Sequence, residues 1–338
     1  MVLEDDIKLI VGDKNIKWEK LKGSKILVTG ATGLIGSLCV RALQSLDIPV
    51  EIYALVRDDK KAMSMLGKDV HYIVGDVRGD MECDFCPDYV IHCAATTASQ
   101  KMIENPVDTL DIAINGTYNV LKLAQSSNVD SVVYISSMEA YGITEEDQNP
   151  VTEDKLGFID LTSARSSYSE GKRAAECLCM AFFHQYKLPI KIARLALTMG
   201  PGIPKTDNRV SMQFAMSAVE GRDIILRTEG KSLSNFCYTV DSIRGIFTAL
   251  LNGEDGEIYN VCNDNETRSI AEIANTVAND IAHGKIKVLF DVADGACYGY
   301  APDVLLRLSS KKLNQLGWYA ETDLTTAYKR LIKYIKEE

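Results

Sequence analysis

The chain contains no run of about 18 apolar residues, so no membrane-spanning helix is expected. It also lacks an excess of basic charge: 37 Lys and Arg stand against 47 Asp and Glu, a formal net charge of -10. Broad nucleic-acid binding needs a basic face and is excluded on that balance, although a local basic pocket for a phosphate is not. The opening Met1-Val-Leu-Glu-Asp-Asp6 lacks the basic and apolar regions of a signal peptide, so a cytoplasmic protein is expected. Internal repeats and low-complexity tracts are absent. The 9 cysteines in 338 residues are too sparse for a disulfide framework. Cys83 and Cys86 form a C-x-x-C, but a zinc site wants a second such pair. A redox pair would open a helix, whereas Pro87 followed by Tyr89-Val90-Ile91 reads as a loop entering a strand. No metal is expected and the thiols are read as reduced, with Cys177 and Cys179 packing residues.

What is present is the composition of a globular protein long enough for one large domain, or two sharing a core. Residues 1–22 read as a polar N-terminal extension with Ile7, Leu9, Ile10, Ile16, Trp18 and Leu21 available for docking. Apolar runs then predict strands at 25–29, 50–56, 70–74, 89–93, 131–136 and 190–195. Helical spacing predicts helices at 38–46, 106–126 and 168–186. Strands alternating with helices imply an α/β fold, a Rossmann-type doubly wound parallel sheet, over residues 23–196. Beyond that the rhythm is irregular: a loop at 199–204, a helix at 211–220, a strand at 223–227 and a helix at 270–282. Residues 197–338 are read as a smaller α/β substrate lobe, with a segment near 236–262 returning to the sheet.

The first strand runs into Gly30-Ala-Thr32-Gly33-Leu34-Ile35-Gly36 and a helix. Glycine permits a sharp turn and close backbone approach to a pyrophosphate, and the helix start offers free N–H groups. A glycine triad between strand and helix at the head of a βαβ run is a strong dinucleotide signal. At the end of the second strand an acid favours NAD and an arginine NADP. Here Arg57 is followed by Asp58, Lys60 and Lys61, which tilts toward NADP while leaving NAD open. Asp76-Val77 is placed to meet the adenine, and Ala94-Ala95 is small enough for the cofactor to lie close.

Tyr168 and Lys172 are four apart and share a helix face. An ammonium beside a phenol favours the phenolate, predicting a Tyr168 pKa below the ordinary value of about 10. Tyr168 is thereby a candidate proton carrier for an alcohol–ketone interconversion.

Thr29-Gly-Ala-Thr-Gly-Leu-Ile-Gly36, Asp76-Val77, His92-Cys-Ala-Ala95, Tyr134-Ile-Ser-Ser-Met-Glu-Ala-Tyr-Gly142 and Tyr168-Ser-Glu-Gly-Lys172 occur in that order. Together they resemble the extended short-chain dehydrogenase/reductases, in the nucleotide-sugar epimerase/dehydratase branch, over about residues 24–335. The segment Leu308–Trp318 is also similar to that branch's C-terminal segment. The resemblance implies that Ser137 holds the reacting oxygen, Tyr168 moves the proton, and Lys172 binds the nicotinamide ribose. It further implies an acid/base role for Glu139, a carboxylate shared with the 4,6-dehydratases and UDP-glucuronate decarboxylases. Met138 stands where the dehydratases carry an acid or serine. Arg165, three before Tyr168, and Asp207-Asn-Arg209-Val210 look closest to the decarboxylases. A homodimer through the Tyr168 helix and its predecessor is implied, with Ala175, Leu178 and Phe182 fitting either that interface or the core.

The departures lie in the substrate half. Leu197 and Met199 replace the branch's usual Asn and Tyr, and Ala113 a helix Asn. Ser234 replaces an Arg that grips the diphosphate; Arg209, Arg227, Lys231 and Arg307 are alternatives. Candidate substrate contacts are Thr97, Ser137, Met138, Arg209 and Ser234. The leading expectation is transient oxidation of a nucleotide-activated sugar, ending in epimerisation, dehydration or decarboxylation. A net NADP-dependent reductase is the second reading, and a silent dinucleotide-binding sensor the third.

Overall fold

The computed structural model describes residues 1–79, 81, 84–292 and 303–338. Cys83, half of the C-x-x-C, lies outside the described residues. In chain order the helices are α1 (Val2–Val11), α2 (Leu34–Gln44), α3 (Asp59–Leu66), α4 (Ser99–Glu104), α5 (Pro106–Asp111), α6 (Thr117–Ser127) and α7 (Ser166–Tyr186). Then come α8 (Val210–Glu220), α9 (Thr239–Asn252), α10 (Ile270–Thr276), α11 (Lys311–Asn314) and α12 (Leu324–Glu337). The strands are β1 (Lys25–Thr29), β2 (Glu51–Val56), β3 (His71–Val74), β4 (Tyr89–His92), β5 (Ser131–Ser137), β6 (Ile190–Leu195) and β7 (Leu197–Met199). They continue with β8 (Ile224–Leu226), β9 (Leu233–Tyr238), β10 (Glu257–Val261), β11 (Thr267–Ser269), β12 (Val288–Phe290) and β13 (Leu305–Leu306).

Seven strands form one parallel sheet in the order β10-β6-β5-β4-β1-β2-β3. Its central strands are apolar almost throughout because helices cover both faces; every residue of β4 and β6 is buried. The chain winds outward from β1 to β3, then crosses back to β4 on the other side of β1. The sheet's switch point therefore lies between the C-terminal ends of β1 and β4, where Thr29 pairs with His92. A second sheet pairs β9 with β7, β11 and β13, and β8 pairs with β12. Between these small sheets the chain returns: α9 packs on β5 and β6, and β10 extends the main sheet beside β6.

Residues 1–22 are more ordered than a polar extension suggests. Ile7 and Ile10 of α1 and, beyond it, Ile16 and Leu21 are buried in the same core as β1, α9 and α12; Leu9 instead faces solvent. Buried ion pairs fix the segment. Asp6 accepts from Tyr238 Oη at 2.5 Å and from the Arg330 guanidinium, and Asp13 pairs with Arg244 at 2.6 Å. Ala175 and Phe182 pack into this chain's own second core cluster, so they do not supply the free face considered for a dimer; Leu178 is partly buried against the same cluster.

Candidate active site

The turn from β1 to α2 is one that only glycine makes. Gly30 has φ +65°, and a Cβ there would fall 2.8 Å from the Ala94 backbone nitrogen. A Cβ on Gly36 would lie 2.3 Å from the Gly30 carbonyl oxygen. The glycine loop thus packs directly against the chain leaving β4, with Ala94 N–H donating to Thr29 Oγ1 at 3.3 Å. Gly33 caps α2 with no side-chain acceptor, leaving the helix's first N–H groups free of one. A glycine cradle at an uncapped helix start suits a dinucleotide's pyrophosphate. Thr32, Leu34 and Ile35 are half-buried in this loop and first turn.

Around it, Arg57 is exposed after β2, while Asp58 caps α3 by accepting from Lys61 N–H at 2.9 Å. Asp76 is gripped by Arg78, which holds its carboxyl below the usual range. Val77 is buried against Gly116, whose added Cβ would meet Val77 Cγ2 at 2.7 Å.

Ser137 ends β5 and caps the 3₁₀ turn Met138–Tyr141, its Oγ accepting from Glu139 N–H at 3.2 Å. Across from it runs α7, a 21-residue helix that carries Tyr168, Lys172 and Glu176 at intervals of one helical turn. Lys172 Nζ donates to the Ile135 carbonyl at 2.7 Å, which ties α7 to β5. One turn on, Glu176 accepts from Ser136 Oγ at 2.5 Å and from Arg194 of β6 at 3.0 and 2.7 Å. The helix sits close to the π-helical stretch Ile112–Gly116 because position 171 is glycine; a Cβ there would be 2.9 Å from Ala113 Cβ. Ala113 thereby serves packing.

The electrostatics reverse one expectation. Burial pushes the Tyr168 phenol up to about 12, and the charge of Glu139 pushes the same way. The Ser137 hydroxyl, Arg165 and Arg209 pull it down by less. Burial of the phenol outweighs the depression expected from Lys172, and burial also lowers Lys172 itself, to about 8. Its Nζ lies over the Tyr134 ring at 4.8 Å and only 5.8 Å from the Tyr168 ring centre. His92, buried between Thr29 Oγ1 (2.7 Å) and Thr117 Oγ1 (3.1 Å), is pushed down to about 3 by burial and the nearby Lys172 charge.

Glu139 is ion-paired with Arg165 Nη2 at 2.8 Å, and Ser169 Oγ lies 3.5 Å from its other oxygen. Arg165 stands three residues before Tyr168, about one helical turn, and that spacing is its signal in the sequence. Of the substrate candidates, Met138 is buried in the core and Arg209 is paired with Asp207 at 2.9 Å. Thr97 lies in the exposed loop after β4. Ser234 is buried on β9 directly across from Arg268 of β11. Arg227 pairs with Asp291 and Lys231 with Glu229, and Arg307 is exposed. Leu197 and Met199 form β7 against β9. Among the described residues, no cluster of His, Cys, Asp and Glu is arranged to hold a metal, and no helix is long and apolar enough to cross a membrane.

The profile of the NAD dependent epimerase/dehydratase family matches residues 26–262. The chain is 30% identical over 305 residues to UDP-glucuronic acid decarboxylase 6 of Arabidopsis thaliana, covering 89% of this chain and 85% of that protein. It is 26% identical over 318 residues to UDP-glucuronic acid decarboxylase 1 of Xenopus tropicalis, covering 93% and 72%. In fold it is similar to UDP-glucose 4-epimerase of Thermotoga maritima, solved with UDP-glucose: TM-score 0.79 at 20% identity, over 93% of this chain and 99% of that one.

Proposed function

The chain belongs to the NAD dependent epimerase/dehydratase family, a family of nicotinamide-dependent enzymes acting on nucleotide sugars, and we propose that it decarboxylates a nucleoside-diphosphate uronic acid through transient oxidation of a ring hydroxyl. The observation that carries this reading is the convergence of Ser137, Tyr168 and Lys172 beside the glycine turn. Lys172 feels Cys93, and the Cys93 carbonyl carbon lies 2.9 Å from the Cβ position of Gly30.

Gly30, Thr32, Gly33, Leu34, Ile35 and Gly36 would hold the pyrophosphate, with Asp76, Val77, Ala94 and Ala95 toward the rest of the dinucleotide. A bound nicotinamide would supply reversible hydride uptake, and the positive charge of its oxidised ring would favour the Tyr168 phenolate. Ser137 then holds the sugar oxygen while Tyr168 accepts the hydroxyl proton. Lys172, tied to Ile135, orients the ribose. A ketone beside the carboxylate-bearing carbon is the electron sink that decarboxylation requires: the C–C bond breaks, carbon dioxide leaves, and the electron pair passes into the ketone oxygen. No acid is needed for a departing hydroxyl, which agrees with Met138 in the place where a dehydratase carries one. Glu139 is the proton donor to the carbon that has lost its carboxylate, as the enolate returns to a ketone, and Arg209 and Ser234 are substrate contacts with Thr97.

Arg57 favours NADP over NAD, since Asp58 is committed to capping α3. It also favours a second reading, a net NADP-dependent reductase. A homodimer is proposed through Val107, Tyr118 and Tyr186, exposed on α5, α6 and α7. The test is incubation with a panel of UDP- and dTDP-sugars, uronic acids included, read by product mass. Loss of 44 mass units, roughly one carbon dioxide, with no net cofactor consumption supports the proposal; stoichiometric NADPH oxidation supports the reductase. Turnover that survives in Tyr168→Phe overturns both.

A further inference from the structure

Arg165 stands at the N-terminal cap of α7, where the helix dipole disfavours a cation. It stays there with two contacts, and one guanidinium nitrogen is left without a partner among the described residues. Its Nη2 bonds Glu139 Oε1 at 2.8 Å. Its Cζ lies 5.7 Å from the Tyr168 ring centre, within cation–π range. Its Nη1 is buried with no hydrogen-bond partner among the described residues. Guanidinium is suited to this, since its planar fork meets a carboxylate at one edge while its charge spreads over a neighbouring ring.

The problem this solves is visible in the site. Glu139 and Tyr168 are both acid–base groups, and a carboxylate beside a buried phenol opposes formation of a phenolate. We infer that Arg165 is a positioning residue that pins the Glu139 carboxylate in place and offsets its charge against Tyr168, so that the two groups can serve one substrate. The inference rests on the reading that both act on the same sugar. The groups that face Tyr168 are Ser137 and Glu139 from the end of β5 and its 3₁₀ turn, Arg165 and Lys172 from α7, Tyr134 from β5, and Arg209 at the start of α8. Only Glu139 among them is a carboxylate, and Arg165 is the cation bonded to it. Arg209 already carries Asp207, and Lys172 is turned to Ile135. Among the described residues, Arg165 therefore has no substitute in the pocket.

The test uses full-length protein with difluorotyrosine at position 168, titrated without cofactor or substrate and read by fluorine NMR. Arg165→Gln raises the phenol midpoint by about one pH unit, a tenfold fall in phenolate at fixed pH. Glu139→Gln lowers it, and the double variant E139Q/R165Q returns between the two. Arg165→Lys keeps the charge but not the fork; its midpoint rises by less, and it carries the test if Arg165→Gln does not fold. An unmoved midpoint in Arg165→Gln overturns the inference, as does an upward shift of undiminished size when Glu139 is also replaced. Because no substrate is present, these outcomes are independent of what the enzyme turns over. Failure of the decarboxylase reading is seen in the product masses instead.

Discussion

Arg194→Met tests the anchor beneath the reacting residues. Arg194 and Glu176 are almost fully buried, with side-chain exposures of 3% and 7%. The pair is bidentate, and Arg194 also stacks on Tyr141 at 4.6 Å and donates to the Glu153 carbonyl at 3.0 Å. Removing the guanidinium leaves the buried carboxylate with Ser136 Oγ as its one hydrogen-bond partner among the described residues. Breaking a buried pair from one side costs about 3–5 kcal/mol. That is a large share of the 5–15 kcal/mol, roughly, that holds a typical fold together. Chemical denaturation with urea measures it as a fall in midpoint. Because Glu176 is one turn from Lys172 and two from Tyr168, turnover falls as well, at temperatures where the fold persists. The double variant Glu176→Leu with Arg194→Met removes both charges and recovers most of the stability, since an apolar replacement of a buried pair is often neutral. A cost below about 1 kcal/mol for Arg194→Met, the value of an exposed pair, refutes the reasoning.

Three further outcomes are expected. His92 is held near 3 in the folded protein against an ordinary value of about 6.5, so the unfolded chain binds the extra proton and stability falls as pH drops from about 6.5 toward 3; His92→Gln flattens that fall in urea midpoints compared at pH about 7 and about 4.5, and an unchanged slope contradicts the assignment. Gly171→Ala would gain helix propensity of about 1 kcal/mol, but its Cβ meets Ala113 Cβ at 2.9 Å; a net loss of about 1 kcal/mol is expected, with Ala113→Gly restoring it, and a stabilised single variant counts against close packing of α7. Asp6→Ala strips Tyr238 and Arg330 of their buried acceptor, costing about 1–3 kcal/mol in thermal or urea unfolding; no change would mean that α1 contributes little to the core.

Local patterns carried much of the fold. The β1 strand, the glycine turn and α2 are adjacent in sequence, so periodicity and turn chemistry were enough to read them. The same holds for the strand–helix alternation that yields a parallel sheet. The long helix 166–186 is legible for its spacing, including the common face of Tyr168 and Lys172. Helix α1 was harder: six of its ten residues are apolar, but what orders it around Asp6 is Tyr238 and Arg330, far away in the chain. Ala175 and Phe182 were ambiguous for a related reason, since sequence gives a helix two apolar faces without saying which neighbour covers each.

By itself the sequence determined the βαβ order, the glycine-only turn at the sheet's switch point, and which residue types stand one helical turn apart. Tertiary structure alone decided the proton affinities around Tyr168. Spacing put a lysine beside the phenol, and from that a lowered phenol followed. Burial of both groups, the turn of Lys172 toward Ile135, and Glu139 arriving from the end of β5 raise the phenol instead. Desolvation and through-space charge depend on what surrounds a group in three dimensions, and neighbours brought together by folding leave no mark in the local sequence.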